Sequence, residues 1–264
     1  MKRREFIVSS VIGSIGASAG TLVFGGSDAM SAQPASTRKI LIAGGGFGTT
    51  FIEYLAVLTG KPRPKLLYLP TASADSATGI IRWYENCAPL DVVPSVQTSF
   101  IASTRMTKTF EEVLLSVDGI VASGGNTLNQ QVIWKAHGID EILREAWNRG
   151  IVLGGASAGS LCWFEEGTTD SRPKVLTKVD GLGFLKGSHS PHYDAEESRR
   201  PTYQGMIKSG EMKSGYACDN DAGIYFEDNE IRRVVHTRAE AKVYHVSLVG
   251  GEIVERELEA EMIA

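Results

Sequence analysis

Cysteine is scarce in this chain: 264 residues carry three, Cys87, Cys162 and Cys218, widely spaced and with no C-x-x-C pair. That excludes a zinc finger or ribbon and a dense disulfide framework, both of which need clustered thiols. A basic excess is missing as well, because 27 Lys and Arg stand against 31 Asp and Glu for a net charge of -4. With those basic residues scattered among acidic ones, no nucleic-acid partner is expected. No apolar run is clean enough for a good membrane span; the best, residues 8–26, is diluted by glycine and serine. The dinucleotide fingerprint is incomplete too. Gly44-Gly45-Gly46-Phe47-Gly48 lacks the G-x-G-x-x-G spacing and Glu53 follows too early to hold a ribose, so close packing at a βα turn accounts for these glycines.

What is present divides into three parts. Met1-Lys2-Arg3-Arg4-Glu5-Phe6-Ile7, the small-residue apolar stretch behind it, and Ala29 and Ser31 before Ala32 read as an export signal over residues 1–31. The paired arginines resemble the twin-arginine type, which exports folded proteins. An exported protein, periplasmic or extracellular, without stable membrane insertion once the signal is removed, is the expectation. Residues 32–38 form a polar linker, and residues 39–264 suffice for a single catalytic domain. In an oxidising compartment Cys87 and Cys218 could pair, although no spacing argument brings them together.

Within the domain, short apolar runs alternate with helical patterns. Strands are expected at 39–43, 65–69, within 91–100, at 119–122 and in the run beginning at Ile151, with helices at 50–59, 78–87, 109–117, 128–136 and 140–149. This is the pattern of an α/β fold with a mainly parallel sheet and helices on both faces. Beyond residue 215 it changes to strand pairs at 222–226, 232–236, 241–246 and 248–256, read as antiparallel additions. Ligands of such folds bind outside the carboxyl ends of the parallel strands, where the turns at Gly44, Pro70, Gly124 and Gly155 converge.

One of those turns carries chemistry. Ile151-Val152-Leu153-Gly154-Gly155-Ala156-Ser157-Ala158-Gly159-Ser160 is a strand that breaks on glycine and presents one serine, the form of a nucleophile elbow, with Leu161-Cys162-Trp163-Phe164 read as its continuing helix. A serine needs a base, and five histidines are available. His192, in the loop Ser190-Pro191-His192-Tyr193-Asp194, is the leading candidate and His189 its rival. His137 lies in a helix-to-helix turn, and His236 and His245 fall in strand-like runs that suit structural roles. For the carboxylate that orients the base, Asp170 is the first choice, with Asp194, Asp219, Asp221 or a Glu left open. The oxyanion donors are expected from the amide after the nucleophile and from the turn Gly124-Gly125-Asn126, whose Asn126 or Thr127 can also cap the next helix.

Taken in order, Ser123-Gly124-Gly125-Asn126-Thr127-Leu128, Gly155-Ala156-Ser157-Ala158-Gly159-Ser160, Thr169-Asp170, Leu182-Gly183-Phe184-Leu185 and Pro191-His192-Tyr193-Asp194 resemble the peptidase E family, which includes dipeptidase E and, more distantly, cyanophycinase. The resemblance runs over residues 39–245. It implies a class I glutamine-amidotransferase-like α/β fold and serine-peptidase chemistry, with Ser157 as nucleophile, His192 as base, Asp170 as acid, and Gly125 with Ala158 as oxyanion donors. It further implies substrate contacts from Asn126 and Thr127, and recognition of an N-terminal aspartate by Arg199 or Arg200. The resulting expectation is a serine dipeptidase or exopeptidase acting on small peptides, with no cofactor and with a homodimer as an open assembly state. A cyanophycinase-like exopeptidase and a non-catalytic binding protein on the same scaffold are the alternatives.

Overall fold

The computed structural model describes residues 37–100 and 103–264, so the export-signal assignment lies outside the described residues. The elements in chain order are β1 (Lys39–Ala43), α1 (Thr49–Leu58), β2 (Lys65–Leu69), α2 (Ala77–Cys87), β3 (Val93–Val96), α3 (Phe110–Leu114), β4 (Gly119–Ala122), α4 (Thr127–His137), α5 (Ile139–Asn148) and β5 (Val152–Ala156). They continue through α6 (Ala158–Leu161), β6 (Phe164–Arg172), β7 (Val175–Asp180), β8 (Leu185–Ser190), α7 (Arg199–Lys208), β9 (Gly215–Cys218), β10 (Ala222–Glu227), β11 (Glu230–His236), β12 (Val243–Val249), β13 (Glu252–Leu258) and β14 (Glu261–Met262).

The first half follows from its apolar patterning. In β1, Ile40 and Ile42 enter one core while Leu41 and Ala43 enter another, the period-2 alternation of a strand buried on both faces. One core is built on Trp134, Trp147, Trp163 and Phe184, and the other on Phe51, Ile52, Leu55 and Trp83. Helix α5 buries Ile139, Leu143, Ala146 and Trp147, one stripe of an amphipathic helix, and places Asp140 and Glu141 in the first turn, where they favour the helix dipole.

The main sheet has the order β14-β11-β10-β1-β5-β4-β2-β3. Its β1, β5, β4, β2 and β3 run parallel, and β10 and β11 extend it antiparallel beyond β1. The carboxyl ends of β1, β4 and β5 therefore lie side by side, and their loops share one edge of the sheet.

The second half departs from expectation. Of the four strands expected there, β10 and β11 join the main sheet, with β14 pairing beyond β11, whereas β12 and β13 belong to a separate six-stranded sheet of order β13-β12-β9-β8-β6-β7. Its members β6, β7, β8 and β9 were not foreseen; in β6 the buried residues include Glu166, Thr168 and Thr169, polar residues that carry no apolar signature. The helix after the elbow also stops early. It ends at Leu161, with Cys162 at its C-terminal cap, and Phe164 already starts β6, stacked on His189. All three cysteines are free and buried; Cys87 packs in one core and Cys218 in the other, so the pairing entertained above does not form.

Candidate active site

Strand β5 ends at Ala156, and the next residue, Ser157, takes φ 58° and ψ -122° as the N-cap of α6. Positive φ is unfavourable for a residue with a Cβ, and such strain persists only where surrounding bonds over-determine it. Here the Ser157 carbonyl accepts from the amides of Ser160 and Leu161 and from Ser160 Oγ at 2.9 Å. Alongside, the β4 loop brings Gly124 so close that a Cβ on it would lie 3.2 Å from Ser157 Cβ. Gly125 follows at φ 134°, where a side chain would also meet the Ala72 carbonyl at 2.2 Å. Only glycine fits there. The amides of Gly125 and Ala158 donate to no acceptor among the described residues, which leaves two N–H groups flanking the serine.

His192 lies in the loop after β8, itself at φ 53°. Its Nδ1 is 2.7 Å from the carboxamide oxygen of Asn220. That oxygen can only accept, so Nδ1 donates to it, and in the neutral ring Nε2 is then the nitrogen that carries the lone pair. Asn220 comes from the turn between β9 and β10. Its amide donates to Asp194 Oδ1 at 2.8 Å, its carbonyl accepts from Arg238 at 3.0 Å, and it bridges to Gly45 in the β1 loop. A Cβ on Gly45 would stand 2.1 Å from Asn220 Oδ1. The glycines after β1 thus make room for the turn that holds the histidine, the close packing expected of them.

Ser157 and His192 line one cavity of about 460 Å³. The β1 loop contributes Gly45 to Gly48, and β2 and α2 contribute Tyr68, Arg82, Trp83 and Asn86. Tyr68 and Trp83 stack at 5.2 Å, and burial raises the Tyr68 hydroxyl above its ordinary pKa.

Other expected site residues lie apart from this cavity. Asp170 is exposed near the end of β6 and faces Arg199 at 3.8 Å, whereas the side chain at the histidine Nδ1 is the carboxamide of Asn220. Asp194 and Asp221 both pair with Arg238 and so brace the Asn220 turn from either side. Asp219 is buried and accepts from the Lys242 amide; burial, with the Asp194 charge adding to it, pushes its pKa up to about 6. Arg199, 2% exposed, is consumed by Glu196 at 2.7 Å and by the Thr168 carbonyl at 3.0 Å. Arg200 is paired with Glu255 and lies over the rings of Tyr193 and Tyr244. Neither arginine lines the cavity, which corrects the substrate-reading role expected of them. Asn126 and Thr127 likewise serve the start of α4: Asn126 Oδ1 accepts from the Asn129 amide, and the Thr127 amide donates to Ser171 Oγ. The rival His189 is fully buried, bonded to the Tyr216 carbonyl and to Ser160 Oγ, and burial drives its pKa down to about 3.

Two residues that sequence reasoning passed over belong to the cavity's surroundings. Asn220 stands between Asp219 and Asp221, and only those two carboxylates are weighed in the sequence reading. Arg82 sat on a helix far from every motif. Among the described residues, no group of three or more His, Cys, Asp or Glu side chains is disposed to hold a metal ion.

The model of peptidase family S51 matches residues 40–234. An uncharacterized peptidase, YgaJ, of Bacillus subtilis (strain 168) is 41% identical over 221 residues, covering 82% of this chain and 94% of its own. Among solved structures, a peptidase from an acI-B1 Actinobacterium aligns with a TM-score of 0.66 at 16% identity, over 86% of this chain and 96% of its own. A putative peptidase E protein from Listeria monocytogenes EGD-e aligns at 0.55, also with 16% identity, over 85% of this chain and all of its own.

Proposed function

Because the chain belongs to peptidase family S51, we propose that it hydrolyses short peptides through an acyl-enzyme on Ser157, with His192 as base and Asn220 as the residue that orients it. One observation carries this reading: a strained serine and a histidine of fixed tautomer open onto the same cavity, with two unengaged amides beside the serine. In the proposed sequence His192 Nε2 takes the hydroxyl proton as Ser157 Oγ attacks the peptide carbonyl, and the oxyanion is held by the amides of Gly125 and Ala158. The tetrahedral intermediate then collapses, the C–N bond breaks, and protonated His192 gives its proton to the leaving amine. Water repeats the cycle on the ester and releases the acid.

The neutral Asn220 gives this arrangement a serine-histidine-amide character. It fixes the ring and its tautomer as a carboxylate would, but adds no charge opposite the imidazolium that forms during attack. In this proposal Asp170 has no catalytic part. Export in folded form, as the N-terminal residues suggest, would bring the enzyme its peptides outside the cytoplasm.

Ser157→Ala should melt with the native protein yet lose both peptide turnover and labelling by a fluorophosphonate probe. A well-folded Ser157→Ala protein that still cleaves peptides would overturn the assignment, and absence of labelling in the native protein would favour the non-catalytic alternative.

A further inference from the structure

We propose that Arg82, supported by Asn86, is the group that selects a substrate carboxylate in the cavity. The proposal rests on the peptidase reading for the class of substrate, but its geometry stands separately. The two arginines that sequence spacing placed near the site are bound within the protein, Arg199 by Glu196 and Arg200 by Glu255. Arg82 is different. Its side chain is exposed, lines the same cavity as Ser157 and His192, and has no carboxylate partner among the described residues.

The neighbours of Arg82 sharpen the preference. Asn86 follows one helical turn later on α2, so the two share a face and both reach the cavity. Its carboxamide oxygen lies 3.5 Å from Thr49 Oγ1, which donates to it, so the acceptor end of the amide is engaged and its NH₂ keeps its donor capacity. Among the described residues, no Asp or Glu lines the cavity. An arginine fork next to an amide donor, with no internal acid to neutralise it, complements an acceptor-only anion, and a planar carboxylate matches the fork bidentately. The stacked rings of Tyr68 and Trp83 fix this wall, since Trp83 and Arg82 are consecutive on α2. In a short peptide such a carboxylate has two sources, an acidic side chain and the free C-terminus.

The test is titration calorimetry on the Ser157→Ala protein, which cannot turn over its ligand, with and without Arg82→Gln. Four probes serve: aspartyl-leucine, asparaginyl-leucine and the C-terminal amide of each. Removing the critical carboxylate should weaken binding to Ser157→Ala by about tenfold or more, and Arg82→Gln should erase that contrast. Loss on going from aspartyl to asparaginyl assigns the side chain, and loss on amidation assigns the C-terminus. The proposal is overturned if the contrast survives Arg82→Gln, if no contrast exists, or if none of the four binds. Fluorophosphonate labelling of the native protein reports on the catalytic serine alone, so a failed label with an Arg82-dependent contrast would refute the peptidase mechanism and keep the recognition site.

Discussion

Replacing Asn220 by Asp puts the proposed mechanism to its most direct test, because it changes one atom of the side chain that holds His192 and converts a neutral acceptor into an anion. The acceptor oxygen lies 2.7 Å from Nδ1, so the centres of the two groups' charges would be about 4 Å apart. At an effective dielectric constant of about 20, unit charges at that distance attract by about 4 kcal/mol, and half-burial of both residues trims this to about 2 kcal/mol. At about 1.4 kcal/mol per pH unit, the acid limb of the kcat/KM profile should move up by about 1.5 units in Asn220→Asp. The sign is fixed: a new negative charge favours the imidazolium, which is inactive as a base, so activity at low pH falls while the plateau above it stays within about tenfold. Asn220→Ala should behave differently, leaving the limb near its native position and lowering the plateau by about 10- to 100-fold as the ring loses its anchor. Initial rates on a reactive ester or peptide across the range of stability supply both readouts. If the Asp profile superimposes on the native one, or the Ala variant runs at the native rate, Asn220 does not orient the base.

Two predictions concern stability. Arg199→Ala removes a buried guanidinium from Glu196 and from the Thr168 carbonyl and should cost about 2–4 kcal/mol in urea unfolding; a loss below about 0.5 kcal/mol would show that the ion pair does not tie α7 to β6. Asp219 is buried with a pKa near 6 against an ordinary 3.8, so the folded state binds its proton more tightly than the unfolded one does. Its contribution is therefore fully present below about pH 4 and disappears as the pH rises through about 6. Asp219→Asn keeps the oxygen that meets the Lys242 amide and should flatten that decline. Melting temperatures for the two proteins that fall in parallel from pH 4 to 7 would contradict the burial argument.

The parallel half of the domain was legible because its strands are apolar on both faces: Lys39–Ala43, Lys65–Leu69 and Gly119–Ala122 fall where the pattern put them. The strand-to-helix turn at Ser157 was legible because so sharp an elbow requires small residues around it. The second sheet was obscured by its own composition. In β6 the buried residues include Glu166, Thr168 and Thr169, satisfied by Lys178, Ser190 and neighbouring hydroxyls rather than by apolar packing, so hydrophobic alternation says little there. Helix α7 was hidden by Pro201 and Gly205, although Pro201 stands in its first turn, where a missing N–H costs nothing. The proposed orienting residue escaped for a chemical reason: looking for an acid behind His192 singles out Asp170, Asp194, Asp219 and Asp221, and passes over the amide lying between two of them.

The bridge between Gly45 and Asn220 joins the first loop of the domain to one of its last turns. A chain emerging from the ribosome makes Ser157 long before the residue that would fix its histidine, and β1 acquires its neighbour β10 only after most of the sequence has been synthesised. Such distant pairings form late, because closing the intervening chain must precede any reward from the contact. In the mechanism proposed here, His192 is then left without its anchor until the final strands dock, so full activity at Ser157 waits on completion of the fold.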